Sequence, residues 1–147
     1  MIGIKFEIDY TPFKKALKVI EDEFVPTKTK NKQVSESIRR KMVGYFNQGG
    51  QAGDGGSAWR PLSQSRILAK EQNKNVVLVE FGKLKSSFLT TSDNKFASVK
   101  NAVPYAAQHQ RGFDNTPARP MIPQRSSLQK TVERVYFDNL RKRLGQL

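Results

Sequence analysis

The chain has no cysteine, one histidine, one tryptophan and no long apolar run. Without cysteine there are no disulfides and no thiolate metal sites. With one histidine, His109, zinc sites built from three or four His and Cys ligands are excluded by count. A triad would need a serine and a carboxylate to meet His109 in space, and no local signature suggests that. Glu21, Asp22 and Glu23 are consecutive, so on a helix they point around it and do not converge as an acid–base pair. No apolar run approaches the roughly 20 residues of a spanning helix. Met1–Tyr10 does not resemble a signal peptide, and cytoplasmic synthesis fits the lack of cysteine. The sequence thus predicts no catalytic residues, no metal and no cofactor, and it does not read as an enzyme.

What is present is positive charge. The 147 residues carry 26 Lys and Arg against 13 Asp and Glu, a net charge of +13. Residues 1–30 hold six basic and five acidic residues, so the rest of the chain carries nearly all of the excess. A basic body invites a polyanion or an acidic protein, although charge can also serve only to keep a protein soluble. The length fits one domain with a real core. The hydrophobic share of 37% is lean, as in chains whose segments order on a partner.

Ile2, Ile4, Phe6 and Ile8 alternate with polar residues and predict a half-buried strand. Thr11-Pro12 reads as the start of a helix, with Phe13, Ala16, Leu17, Ile20 and Phe24 at helical spacing and Pro26 as its stop. Residues 27–33 are polar and read as an exposed linker. A second helix is expected over Val34–Phe46, with Val34, Ile38, Met42 and Tyr45 in one stripe. Arg39, Arg40 and Lys41 lie toward its other side, where a solvated face is the simpler reading and contact with DNA or an acidic partner the sharper one.

Residues 47–58 contain five glycines and predict a flexible loop. The absence of a Gly-Lys-Ser/Thr ending argues against a phosphate cradle. Ser63 is placed to cap a short helix to about Glu71. Val76–Phe81 reads as a short strand, and Lys83–Ser87 as a helical turn. Phe88–Thr91 and Lys95–Val99 read as strands around a Ser92-Asp93-Asn94 turn, and Val103–Ala107 as a third strand or a turn. Residues 111–123 hold three prolines and predict an extended arm. A last helix begins near Ser126, with Leu128, Val132, Val135, Leu140 and Leu144 as its stripe. Arg141, Lys142 and Arg143 crowd its last turns. These elements predict an α+β domain: a small antiparallel sheet of three or four strands packed with about three amphipathic helices.

Four sequence pieces then follow one another in order. They are Trp59-x-Pro61-Leu62; Leu78-x-x-x-Gly82-x-Leu84-x-x-Ser87; Tyr105-Ala106-x-x-His109-x-x-Gly112; and Pro117-Ala118-Arg119-Pro120. In this order and spacing they resemble the phage virion morphogenesis family, which includes tail-completion proteins of contractile-tailed phages and related prophages. Phe81 departs from the pattern, in which the residue before the glycine is small and hydroxylated. The resemblance spans about residues 46–125 and implies a non-enzymatic role in virion assembly at the head–tail junction or the head-proximal end of the tail. It also implies a homo-oligomeric ring around the DNA channel, with other neck, connector or tail-tube proteins as partners and no membrane.

The motifs carry physical expectations of their own. Trp59 is suited to anchor the glycine-rich loop in the core or to dock on a neighbour. Gly82 and Gly112 suit turns closed to other residues. Arg119, in a rigid arm between Pro117 and Pro120, is suited to a bidentate pair with a carboxylate of its own chain or the next subunit, or to a phosphate. Tyr105 is expected in the core with its hydroxyl at the edge, and His109 either to bond a nearby turn or to contact another subunit, where its charge would change near its ordinary titration range. Lys83 and Lys85 join Arg39–Lys41 and Arg141–Arg143 as candidate contacts to DNA or an acidic partner. The alternative to an assembly protein is a free-standing basic nucleic-acid-binding protein.

Overall fold

A computed structural model of the chain describes residues 9–146. The strand expected over Ile2–Ile8 lies outside the described residues. Three long helices dominate: α1 (Thr11–Glu23), α2 (Lys28–Gln48) and α6 (Arg125–Leu144). Three short ones, α3 (Gln64–Ala69), α4 (Lys83–Ser86) and α5 (Ala106–Arg111), turn the chain between them. Strands β1 (Phe88–Ser92) and β2 (Ala97–Asn101) form an antiparallel hairpin in which Phe88 faces Asn101 and Ser92 faces Ala97. The domain is α+β, but among the described residues the sheet has two strands, fewer than the three or four expected.

α2 is the axis. The hairpin and α6 both pack on it, and α1 packs on α6. Its stripe buries Val34, Met42, Tyr45 and Phe46, joined in the core by Trp59, Leu84, Phe88, Val103 and Met121. Burial of this kind contributes about 25 cal/mol per Å² of apolar surface, and here it concentrates around α2 and the motif segments.

The polar run at 27–33 is a helix and not an exposed linker. Thr27 caps α2 by accepting from the Lys30 backbone N–H. Asn31 Nδ2 donates to the carbonyl of Asp93 at 2.8 Å, and the Lys28 N–H donates to Asn94 Oδ1 at 2.9 Å, which pins the hairpin turn to the helix. The buried Lys30 ammonium donates to the carbonyls of Asp22, Glu23 and Val25 at 3.0, 2.6 and 3.1 Å. A cation at the C-terminal end of α1 satisfies its free carbonyls and its dipole. The Glu23 carboxylate, 1% exposed, takes Lys30 at 3.4 Å and Arg143 of α6 at 3.2 Å. Charge pairing therefore buries groups whose polarity predicts solvent.

The residues expected to form a strand at 76–81 wrap instead around a cation. Lys70, 4% exposed, follows the end of α3, and its ammonium donates to the carbonyls of Asn73, Val76 and Val79 at 2.6, 2.8 and 2.7 Å. Curling three carbonyls onto one ammonium is incompatible with an extended ladder, and Leu78 adopts φ +60 within the curl. A β-branched run here loses to the desolvation demand of a buried charge. Of the strand or turn expected at 103–107, a turn forms, and it leads into α5 at Ala106. In α6 the seated residues are Ser127 and Thr131, while Val132 and Leu144 of the expected stripe are exposed. Small hydroxylated residues let α6 approach α2, and Thr131 Oγ1 satisfies itself on the Ser127 carbonyl at 2.8 Å.

Candidate functional site

The glycine-rich loop is folded against the body. Gly50 bridges Ala58, and a single 3-10 turn spans Ala52–Asp54. A Cβ on Gly50 would lie 2.6 Å from the Trp59 nitrogen, so only glycine fits there. Asp54 sits at the centre of a polar cluster: Lys41 donates to it at 2.8 Å, and the hydroxyls of Tyr45 and Ser127 also donate to it. Burial pushes the Asp54 carboxyl up, but hydrogen bonds from Lys41, Ser127 and Tyr45, with the Lys41 charge, outweigh it and hold the group at about 2. Burial and the Asp54 carboxylate push the Tyr45 phenol up. Lys41, on the face expected to be solvated, thus ties α2 to the loop and to α6.

Trp59 is 4% exposed and stacks edge-on against Phe46 at 5.2 Å. Its indole N–H donates to the Pro120 carbonyl at 2.9 Å, and Gln51 Nε2 donates to the same oxygen at 3.1 Å. The proline-rich arm is therefore clasped by its own chain. Gln110 Oε1 accepts from the backbone N–H groups of Met121 and Ile122 at 2.7 and 3.1 Å, and the Arg119 N–H donates to the His109 carbonyl at 2.7 Å. Gly112 turns at φ +80, where a Cβ would press on Ala118 N at 3.0 Å.

These contacts bring all four motif pieces to one cleft of about 930 Å³. Pro61 and Leu62, Leu78 to Leu84, Tyr105 with His109, and Pro117 with Arg119 form its walls. The sequence separates these pieces by up to sixty residues, and the clasp closes the distance. Gly82, at φ +76, starts α4 and turns Lys83 into the cleft lining. Leu84 is buried in the core, and Ser87 Oγ donates to the Lys83 carbonyl at 2.6 Å. Arg66 and Lys70, neither singled out by the sequence, also line the cleft. Nothing in the sequence separates Lys70 from the surface lysines, because its role depends on carbonyls up to nine residues away.

The cleft is electropositive. Arg119 is 6% exposed, yet its guanidinium donates only to the Arg60 carbonyl, from Nε at 3.4 Å and Nη2 at 3.2 Å, and to no carboxylate among the described residues. Burial, then the Arg60 charge, acts against the Arg119 charge. Tyr105 is 38% exposed at the cleft and not in the core, its ring edge-on to His109 at 5.8 Å. Burial first, then the Arg119 and Arg66 charges, pushes the His109 imidazole below its ordinary value, and its buried Nδ1 has no partner among the described residues. Glu80, the one carboxylate in the wall, is paired with Arg66 at 3.0 Å.

The other basic candidates divide into two kinds. Arg39 pairs with Glu36 at 2.9 Å, Arg40 donates to Ser37 at 3.2 Å, Lys85 to Asn47 at 2.7 Å and Arg143 to Glu23. Lys83, Arg141 and Lys142 are exposed. No cluster of three or more potential metal ligands occurs among the described residues. Nor is any described helix long and apolar enough to cross a membrane.

In this small α+β body the separated motifs close on one basic cleft, with hydrogen bonds holding loop and arm in place. The pattern of the phage virion morphogenesis family matches residues 8–145, and the chain belongs to that family. It is therefore a phage protein with a structural role in virion assembly. No curated protein and no solved structure matches the chain.

Proposed function

We propose that the protein acts at the head–tail junction or the head-proximal end of the tail, as a homo-oligomeric ring around the DNA channel, and that its role is structural and not catalytic. The observation that carries this reading is the convergence of the four motif pieces on one electropositive cleft held by the Trp59–Pro120 clasp. A constellation of that kind, with cations and apolar side chains lining one cleft, is suited to docking. The partners of the reading are further copies of this chain and neck, connector or tail-tube proteins, met in the host cytoplasm during assembly and retained in the virion. Exposed Lys83, Arg141 and Lys142 suit non-specific contact with DNA passing the channel.

The test is cryo-electron microscopy of phage particles carrying a tagged copy of the protein. Density for the tag at the neck or upper tail end is expected, and tag density confined to the capsid shell or the distal tail would refute the placement. The net charge of +13 favours one second reading, a free-standing nucleic-acid binder. That reading predicts steeply salt-dependent DNA binding by a monomer and no tag in the finished particle.

A further inference from the structure

Among the described residues, the Arg119 guanidinium is the buried cation with the poorest set of partners. A guanidinium has five donors and stays protonated at any physiological pH. Here the residue is 6% exposed, and its guanidinium makes two long hydrogen bonds to a single carbonyl. Burying a cation without a carboxylate or phosphate is costly, and a half-satisfied buried charge is a strong receptor for an anion. Its neighbours in the cleft reinforce this. Arg60, Arg66 and Lys83 add positive charge to the lining.

We propose that the cleft is the socket for an extended acidic peptide segment of another virion protein, whose carboxylate pairs with Arg119 and whose flanking apolar side chains lie on Leu62, Leu78 and Phe81. Three observations select this occupant. First, the walls alternate cations with aliphatic surface, and Phe81 stands 65% exposed at the rim. A peptide with an acidic centre and apolar flanks complements both, whereas a phosphate backbone leaves the aliphatic surface bare. Second, Arg119 is buried while Arg60, Lys83 and Tyr105 are exposed. A convex duplex meets cations that project, and a slim chain reaches one that does not. Third, Glu80 is the one carboxylate in the wall and is already paired with Arg66, so the remaining charge of the cleft is positive and complements an acidic segment. The volume of about 930 Å³ fits a few residues of peptide and lies within the range of small-ligand sites. The φ +60 of Leu78, held by the Lys70 cage, is backbone strain of the kind found at binding sites. The inference rests on the assembly reading only in taking the partner to be a virion protein.

The experiment uses the full chain, immobilised, and two pools of short peptides with randomised flanks. One pool has Asp or Glu at the centre, and the other has Asn or Gln. Sequencing of the retained peptides reads the enrichment. Retention of the acidic pool about tenfold or more above the amide pool, with aliphatic flanks enriched, is expected, since one charge-assisted bidentate pair separates them. Arg119→Gln abolishes that preference. Because this variant removes a buried group and can unfold the arm, Phe81→Ala and Lys83→Ala, both at exposed positions, are measured beside it. Each lowers retention while leaving the thermal melt unchanged. Equal retention of the two pools overturns the proposal. So does displacement of bound acidic peptide by single-stranded oligothymidylate at equal charge, which would make the cleft a nucleic-acid groove. Neither outcome depends on where the protein sits in the particle, so failure here and failure of the neck placement are distinguishable.

Discussion

The indole N–H of Trp59 donates to the carbonyl of Pro120 at 2.9 Å, and this bond joins the glycine-rich loop to the proline-rich arm. Trp59→Phe keeps the edge-on packing against Phe46 and removes the donor, while Gln51 still serves the Pro120 carbonyl. A loss of about 1 kcal/mol is expected, against roughly 3–5 kcal/mol for Trp59→Ala, which also opens a core cavity. Urea denaturation of both variants checks the ratio. Equal losses would mean that the ring contributes nothing beyond its hydrogen bond.

The Asp54 cluster makes stability depend on acid. The carboxyl is held at about 2 against an ordinary 3.8. A depressed folded value contributes stability that is fully present above the unfolded value and is lost as pH falls from about 3.8 toward 2. Asp54→Asn flattens that window and costs roughly 2–3 kcal/mol at pH 7, since Lys41 loses its ion partner. Thermal melts of both proteins between pH 2 and 6, the range set by the linkage relation, check this. An unchanged acid slope in the variant would assign the acid sensitivity elsewhere.

Lys70→Met leaves the carbonyls of Asn73, Val76 and Val79 without their shared donor. A loss of roughly 3 kcal/mol is expected if the curl stays dry. If it opens to water, hydrogen exchange over residues 70–80 rises while α2 keeps its protection. Retained protection over 70–80 with no loss of stability would show that the ammonium does not organise the curl.

Much of this architecture is legible in the sequence where one local rule decides. Ser63 caps α3 as expected, and the hairpin forms around Ser92–Asn94, with β2 shifted two residues along. The stripe of Val34, Met42 and Tyr45 faces the core, although its helix begins six residues earlier than the apolar spacing implies. The missed features share one physical cause. Lys30, Glu23, Lys70 and Arg119 are buried charges, and their burial depends on distant carbonyls or partners that no local pattern encodes. The motif residues are legible as a set, but their meeting in one cleft is not. That meeting depends on Trp59 and Gln51 reaching across the fold to Pro120.

The Glu23 lock joins α1 to the body through Lys30 and Arg143, beside Phe24 stacked on Tyr136 at 6.3 Å. Glu23→Gln weakens both charged contacts and is expected to cost roughly 1–3 kcal/mol. Hydrogen exchange rises over residues 11–23 before it rises elsewhere. Uniform loss of protection across α2 would show instead that α1 unfolds with the whole domain.

The central claim, an assembly protein that closes a ring, is tested most directly by the solution mass of the purified protein. Light scattering across concentration and salt, with negative-stain imaging of any large species, reads both the mass and the shape. The account predicts closed rings of defined mass at high concentration. A strict monomer at every concentration and salt, binding DNA with a steep salt dependence, would contradict it.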